Sequence, residues 1–361
     1  MRFNTLCFIL VGAIVAFTLV EKVIFVSKFD HPSGGDIQIH LAIVRGWLDF
    51  ENPLFNEKYF YSGYPRPPAM HLTIALMSLV PFVSLSTVIN FLEIVLFPLI
   101  LFATFYVVYR RLGAFTASLS TLLLATSTAF WDRGAQIIPQ AFDVLLFPLA
   151  AYLFLGGRRA YIPICIYLVY NHWSYAVLLV GALFIFSSMY RKEKLRDFGI
   201  IAAACVPLAA VMILNSGAML AESSGINEAQ ELAVLTEPLF TIKYLGYPLF
   251  FLIFISAVHL RYMALYDFER LVLLWILTLV PMAVFFPDRF IGYVAQPLAI
   301  FGGIVLADLF KGGKVRAVML FSVFLFALLS QYYLHSALLS GQYIRMPLDT
   351  LSPFVIPQPI P

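Results

Sequence analysis

A chain of 361 residues that is 61% hydrophobic and only 12% charged does not fit a soluble globular domain, in which about a quarter of residues carry charge. Its mean hydropathy is +0.90, and apolar runs of about 20 residues recur from end to end, each able to cross a hydrocarbon core of roughly 30 Å. The small net charge of +3 reads as basic residues kept in cytoplasmic loops and gives no nucleic-acid partner.

Backbone polar groups in lipid must be paired within their own segment, so these runs are predicted to be helices; the alternating short strands of a β-barrel are missing. The expected fold is an all-α polytopic membrane protein in the lipid bilayer, with about eleven transmembrane helices and a long helical outer loop after the first. The first run, 5–26, follows Arg2, contains Glu21 and Lys22, and lacks a small-residue cleavage site, which predicts an uncleaved anchor helix. Further helices are expected at 84–109, 112–130, 140–156, 160–172, 173–190, 198–214, 239–260, 270–287, 290–310 and 315–337. Pro163, Pro207, Pro248 and Pro281 lie in or near these runs and predict kinks. Cys7, Cys165 and Cys205 fall in apolar runs without metal-type spacing, so they read as packing residues.

With Arg2 in the cytoplasm, alternating sides puts Arg110-Arg111, Arg158-Arg159, Arg191-Lys192 with Lys194 and Arg196, Arg261 with Arg270, and Lys311 with Lys314 and Arg316 on the inner face, as the Lys/Arg bias requires. The outer segments carry scattered bases among acids. This layout describes a multi-pass protein of the cell membrane with a cytoplasmic N-terminus, an outer C-terminus, and one domain over 1–361. It requires the short apolar stretch 67–82 to be re-entrant or interfacial, within a first outer loop spanning 27–83.

That loop is long and rich in aromatic residues, which points to function. Ser33-Gly34-Gly35 forms a turn into a helix over 36–50. Asp36 then sits at the helix N-terminus, as a cap or as a reacting carboxylate. His40 is four residues on and shares its face, so the two can take a proton from a hydroxyl or hold a divalent cation, with His71 or another loop residue as third ligand. Arg45 and Arg66 are candidates for neutralising phosphate, or for pairing with Asp49 and Glu57. In the second outer segment, Asp132, Gln136 and Gln140 either face the same cleft or cap the helix that Pro139 opens. Asn171-His172-Trp173 interrupts an apolar run, and Arg289 stands at the outer face beside Asp288. An Arg at that depth needs a partner, a lipid phosphate or Asp288.

In their order, these features resemble the GT-C superfamily of integral membrane glycosyltransferases, and the membrane module of oligosaccharyltransferase catalytic subunits. The likeness rests on one helix followed by a long loop with Gly35-Asp36, His40 and Arg45, then Tyr64-Pro65-Arg66-Pro67-Pro68 with His71. It continues through Arg133-Gly134 to Pro139-Gln140, the Asn171-His172 break and Arg289. The resemblance implies an inverting enzyme that moves a single sugar from a polyprenyl-phosphate-linked donor to a lipid, glycan or protein acceptor on the non-cytoplasmic face. Asp36 and His40 would be catalytic. Arg45, Arg66, His71, Arg133, Gln136, Gln140, His172 and Arg289 would bind substrate, with Arg289 stabilising the leaving phosphate. A divalent cation, magnesium or manganese, stays open as a cofactor, with Asp36 its ligand if one is held. Gln136 and Gln140 stand where the family has acids, and there is no Trp-Trp-Asp-Tyr-Gly motif, which argues for single-sugar transfer over en bloc transfer to asparagine. A lipid or solute transporter or flippase, or an inactive scaffold of the same fold, are the rival expectations; Glu93 is the main charge within a helix, and polar residues otherwise gather at one face.

Overall fold

The computed structural model of the chain describes residues 3–28, 37–60, 65–128, 130, 137–214, 245–285 and 287–339. Among the described residues all regular structure is helical: α1 Phe3–Lys28, α2 Ile37–Leu48, α3 Ala69–Ser78, α4 Leu85–Leu112, α5 Ala114–Ala125, α6 Pro139–Leu155, α7 Tyr161–Asn171, α8 Trp173–Tyr190, α9 Leu195–Leu214, α10 Tyr247–His259, α11 Asp267–Phe285, α12 Pro287–Leu309 and α13 Gly313–Leu339. Six of these, α1, α4, α8, α9 with its preceding turn, α12 and α13, are long and apolar enough to cross a membrane. Large apolar side chains face outward on several of the helices, including Phe91, Phe102, Phe184, Val206, Phe254 and Leu329. In water such a surface would aggregate, whereas lipid accepts it. The chain is a multi-pass helical membrane protein.

Each apolar run expected from the sequence has its helix, and local chemistry sets the ends. The Ser84 hydroxyl accepts from the Thr87 amide at 3.1 Å and starts α4, satisfying a donor that has no partner in the first turn. At the other end Arg110 and Arg111 lie in the last turn, where cations suit the helix dipole. α5 is shorter than the expected 112–130: Gly113, at φ +90°, starts it and Thr126 ends it. Pro139 opens α6 at its first turn. α3 has 10 residues, which at 1.5 Å rise is about 15 Å, half of what a crossing needs.

The contacts divide the bundle into two ends. At one, the Phe3 and Phe115 rings lie 5.4 Å apart and the Arg316 guanidinium covers Phe115. Arg111 donates to the Tyr152 carbonyl at 2.6 Å, and Arg191 donates to the Leu155 carbonyl at 3.2 Å and to Asp267 at 2.7 Å. The Tyr161 hydroxyl reaches Asp197 at 2.8 Å, and His259 pairs with Asp308 at 2.8 Å. The expected basic clusters are thus collected at this end. At the other end, Gln331 bonds the Ala125 carbonyl, Asn171 meets Pro139, and the α3 residue Thr73 meets Tyr167 at 3.1 Å. Gly246 also abuts α5 there, at φ +94°, where a Cβ would lie 2.9 Å from the Thr126 carbonyl oxygen.

α5 is the central post, with all of its residues buried. Its small polar side chains, Thr116, Ser118, Ser120 and Thr121, let neighbouring backbones approach closely, as membrane helices require. Gly303 of α12 packs against Ser120: a Cβ on it would lie 2.7 Å from the Ser120 nitrogen and 2.9 Å from its Cα. The Ser120 hydroxyl donates across this contact to the Ile300 carbonyl at 3.3 Å. Gln296, one helical turn earlier on α12, donates to Thr104 at 2.9 Å and to the Val144 carbonyl at 3.1 Å, tying α12 to α4 and α6.

Candidate functional site

The site lies at the end of the bundle away from the basic clusters, where α2 and α3 meet α6 and α7. α2 buries Ile37, His40, Leu41 and Val44, the three-and-four spacing of one helix face. α3 buries Met70, His71, Ile74 and Ala75 by the same rule. Packing these two stripes together brings His40 to His71: Nδ1 of His40 and Nε2 of His71 are 2.9 Å apart. His71 Nδ1 is 3.1 Å from the carbonyl oxygen of Pro67, in the segment that leads into α3. Both rings are enclosed, His40 with 7% and His71 with 0% of its surface exposed. Burial drives the His71 imidazole down to about 4. It also lowers His40 well below the ordinary histidine range, helped by the neighbouring His71, Arg66 and His172. Both are neutral at neutral pH.

Facing this pair, α7 ends at Asn171. Its side-chain amide donates to the Pro139 carbonyl at 2.6 Å and to Asp143 Oδ1 at 2.7 Å, stitching the end of α7 to the start of α6. His172 then leaves helical geometry, at φ −152° and ψ 82°, before α8 begins. Its Nδ1 lies 3.9 Å from Asp143 Oδ2 and 3.5 Å from the Tyr293 hydroxyl.

Between these walls is a pocket of about 50 Å³ lined by His40, Arg66, His71, Gln140, Asn171 and His172 among others. One water needs roughly 10–15 Å³, so the pocket admits a small polar group. Its described lining presents a guanidinium, three imidazoles and two amides, with no carboxylate among the described residues. That donor set suits an anion.

His40, Arg66, His71, Gln140 and His172, scattered over 133 positions of sequence from 40 to 172, therefore converge on one cavity. Arg45 does not join them. It is exposed in the last turn of α2, because five residues at about 100° each carry it to another face than His40. Its expected place among the substrate-binding residues is therefore not in this cavity. Asp36, Arg133 and Gln136 lie outside the described residues. Arg289 falls in the first turn of α12, and its side chain is likewise outside the description. Among the described residues no group of three or more His, Cys, Asp or Glu side chains is arranged to hold a metal ion. The pocket wall also does not fit magnesium or manganese, hard cations that prefer carboxylate oxygens: its described groups are imidazole, amide and an Arg that repels a cation.

Asp143 was not singled out by the sequence pattern, yet it anchors the site. Gln136 and Gln140 occupy the positions expected to be acidic, whereas the buried acid lies one turn further along, three residues after Gln140 and on the same side of α6. A signal was present: an acid inside an apolar run is expensive and marks function. Compared with known proteins, the sequence matches no family model and no curated protein.

Proposed function

We propose that the chain is a membrane glycosyltransferase that moves a single sugar from a polyprenyl-phosphate-linked donor to a lipid, glycan or protein acceptor. The observation that carries this reading is the pocket with Arg66, His40, His71 and His172 in its wall, set at the end of a membrane bundle. It is a place for a phosphate that arrives on a lipid.

The Lys/Arg bias assigns the basic end to the cytoplasm. On that basis the helical runs other than α2 and α3 cross the bilayer, the short α5, α7 and α10 doing so only together with the chain that flanks them, the N-terminus is cytoplasmic, the C-terminus is outside, and the pocket opens on the non-cytoplasmic face. In the reaction, an acceptor hydroxyl loses its proton to a base of the first outer loop, Asp36 or His40. The oxygen attacks the anomeric carbon from the side opposite the phosphate, and the bond from that carbon to the phosphate oxygen breaks with its electron pair staying on the phosphate. The configuration inverts. Arg66 lies where it can meet the charge that develops on the departing phosphate, and fixed electrostatic stabilisation of this kind usually contributes more to catalysis than any other single effect.

The test is transfer in sealed proteoliposomes of the full chain, supplied with a panel of polyprenyl-phosphate-linked hexoses and, separately, with nucleotide sugars. Transfer from a lipid-linked donor and none from the nucleotide sugars is expected. No transfer from any lipid-linked donor, together with movement of an intact lipid or solute across the bilayer, would replace the enzyme by a transporter.

A further inference from the structure

We propose that the His40–His71 pair is the proton acceptor for the attacking hydroxyl, with His71 a positioning residue that, held by the Pro67 carbonyl, fixes which nitrogen of His40 is free to take the proton. This rests on the sugar-transfer reading of the pocket and deepens it by choosing His40 over Asp36.

The argument follows from what each atom can do. A backbone carbonyl only accepts, so His71 Nδ1, 3.1 Å from Pro67 O, carries a hydrogen. A neutral imidazole carries one hydrogen and one lone pair, which makes His71 Nε2 an acceptor. The 2.9 Å contact from His40 Nδ1 to that nitrogen then needs a hydrogen on His40 Nδ1. By the same count His40 Nε2 bears the lone pair. Nδ1 being engaged by His71, Nε2 is the nitrogen that His40 has left for a molecule in the pocket it lines. A single carbonyl oxygen thus sets two tautomers in series, the way a hydrogen bond at one ring nitrogen determines the state of the other. Free histidine favours the opposite form, with its hydrogen on Nε2, which has no lone pair to offer.

The pair also suits the task after the proton arrives. When the acceptor O–H proton moves to His40 Nε2, its oxygen bonds to the anomeric carbon and the sugar–phosphate bond breaks. The resulting imidazolium donates from Nδ1 to the neutral His71, which can stabilise one positive charge but not carry a second. Among the described residues, the groups that act on His40 are His71, Arg66 and His172. The departing phosphate, once formed beside Arg66, offsets the positive charge that this cluster would otherwise repel.

The tautomers are read directly by nitrogen-15 resonance of histidine-labelled full-length protein in nanodiscs, the signals being assigned through His40→Gln and His71→Gln. At neutral pH both rings should show hydrogen on Nδ1 and a bare Nε2, and His71→Leu, which offers no acceptor, should release His40 to the Nε2-protonated form. In the transfer assay His40→Gln should lower kcat by roughly 10²–10⁴-fold, and His71→Leu by a comparable factor for the wrong tautomer, with KM for the donor little changed. Wild-type His40 with its hydrogen on Nε2 overturns the proposal, and that result needs no variant to fold. Full transfer by His40→Gln overturns it as well. The expected tautomers without transfer from any donor would instead overturn the sugar-transfer reading, and the base with it.

Discussion

Arg66→Gln is expected to slow sugar transfer by roughly 10²–10³-fold, about 3–4 kcal/mol of lost stabilisation. The side chain lines the same pocket as His40, His71 and His172, and among the described lining groups it supplies the permanent charge, since burial keeps His40 and His71 neutral. Glutamine keeps most of the length and some hydrogen bonding but leaves the developing phosphate charge with no cation from this position. Arg66→Lys should recover part of the loss, because an ammonium keeps the charge but not the planar fork that grips two phosphate oxygens. Initial rates in proteoliposomes, with protein quantities matched, measure both. If Arg66→Gln transferred at the wild-type rate, Arg66 would have no part in the leaving-group step.

Gly303→Val should have the largest effect on stability. The position faces the backbone of α5, with Ser120 nitrogen and Cα at 2.7 and 2.9 Å from where a Cβ would stand, and backbone at the centre of a bundle has nowhere to go. Accommodating the side chain means separating α12 from α5 and stretching the bond from Ser120 to the Ile300 carbonyl. Overpacking of this kind costs about 1–3 kcal/mol or more, and here it acts on the most buried helix of the fold. Gly302→Ala is the internal comparison: its added Cβ would meet Leu252 and Leu123 methyl carbons at 3.0 and 3.4 Å, ends of flexible side chains that can shift. Thermal unfolding in one detergent should show a much lower midpoint for Gly303→Val and a small change for Gly302→Ala. Equal midpoints would mean that this helix contact is looser than it looks.

The helices were legible because apolar runs bounded by Arg pairs, prolines and glycines carry their own length and ends. Arg110-Arg111 with Gly113, and Pro139 at the start of α6, needed no tertiary information. The end of the short α3 was readable too, since Val80-Pro81 closes its apolar stretch. The site was legible only in part. Polar residues that interrupt outer segments, such as Arg66, Gln140 and His172, could be picked out one at a time, and they do meet. Their pairing could not be read: His40 and His71 are 31 residues apart, and Asp143 and Asn171 are 28 apart. Asp143 was hidden for a second reason, because a lone acid barely lowers the apolar average of the run around it. That Arg45 lies on another face of α2 than His40 is a matter of helix phase, which a linear motif does not express.

The most direct test places a photoreactive residue at Ile39, in the pocket wall, and illuminates membranes containing a polyprenyl phosphate. If a lipid-borne phosphate occupies the pocket, an adduct forms at Ile39, is competed by the sugar-linked donor, and falls sharply with Arg66→Gln, while the same residue at Lys194, at the basic end, gives none. Adducts at Lys194 and none at Ile39 would place the lipid phosphate at the wrong end of the bundle and contradict the proposed function.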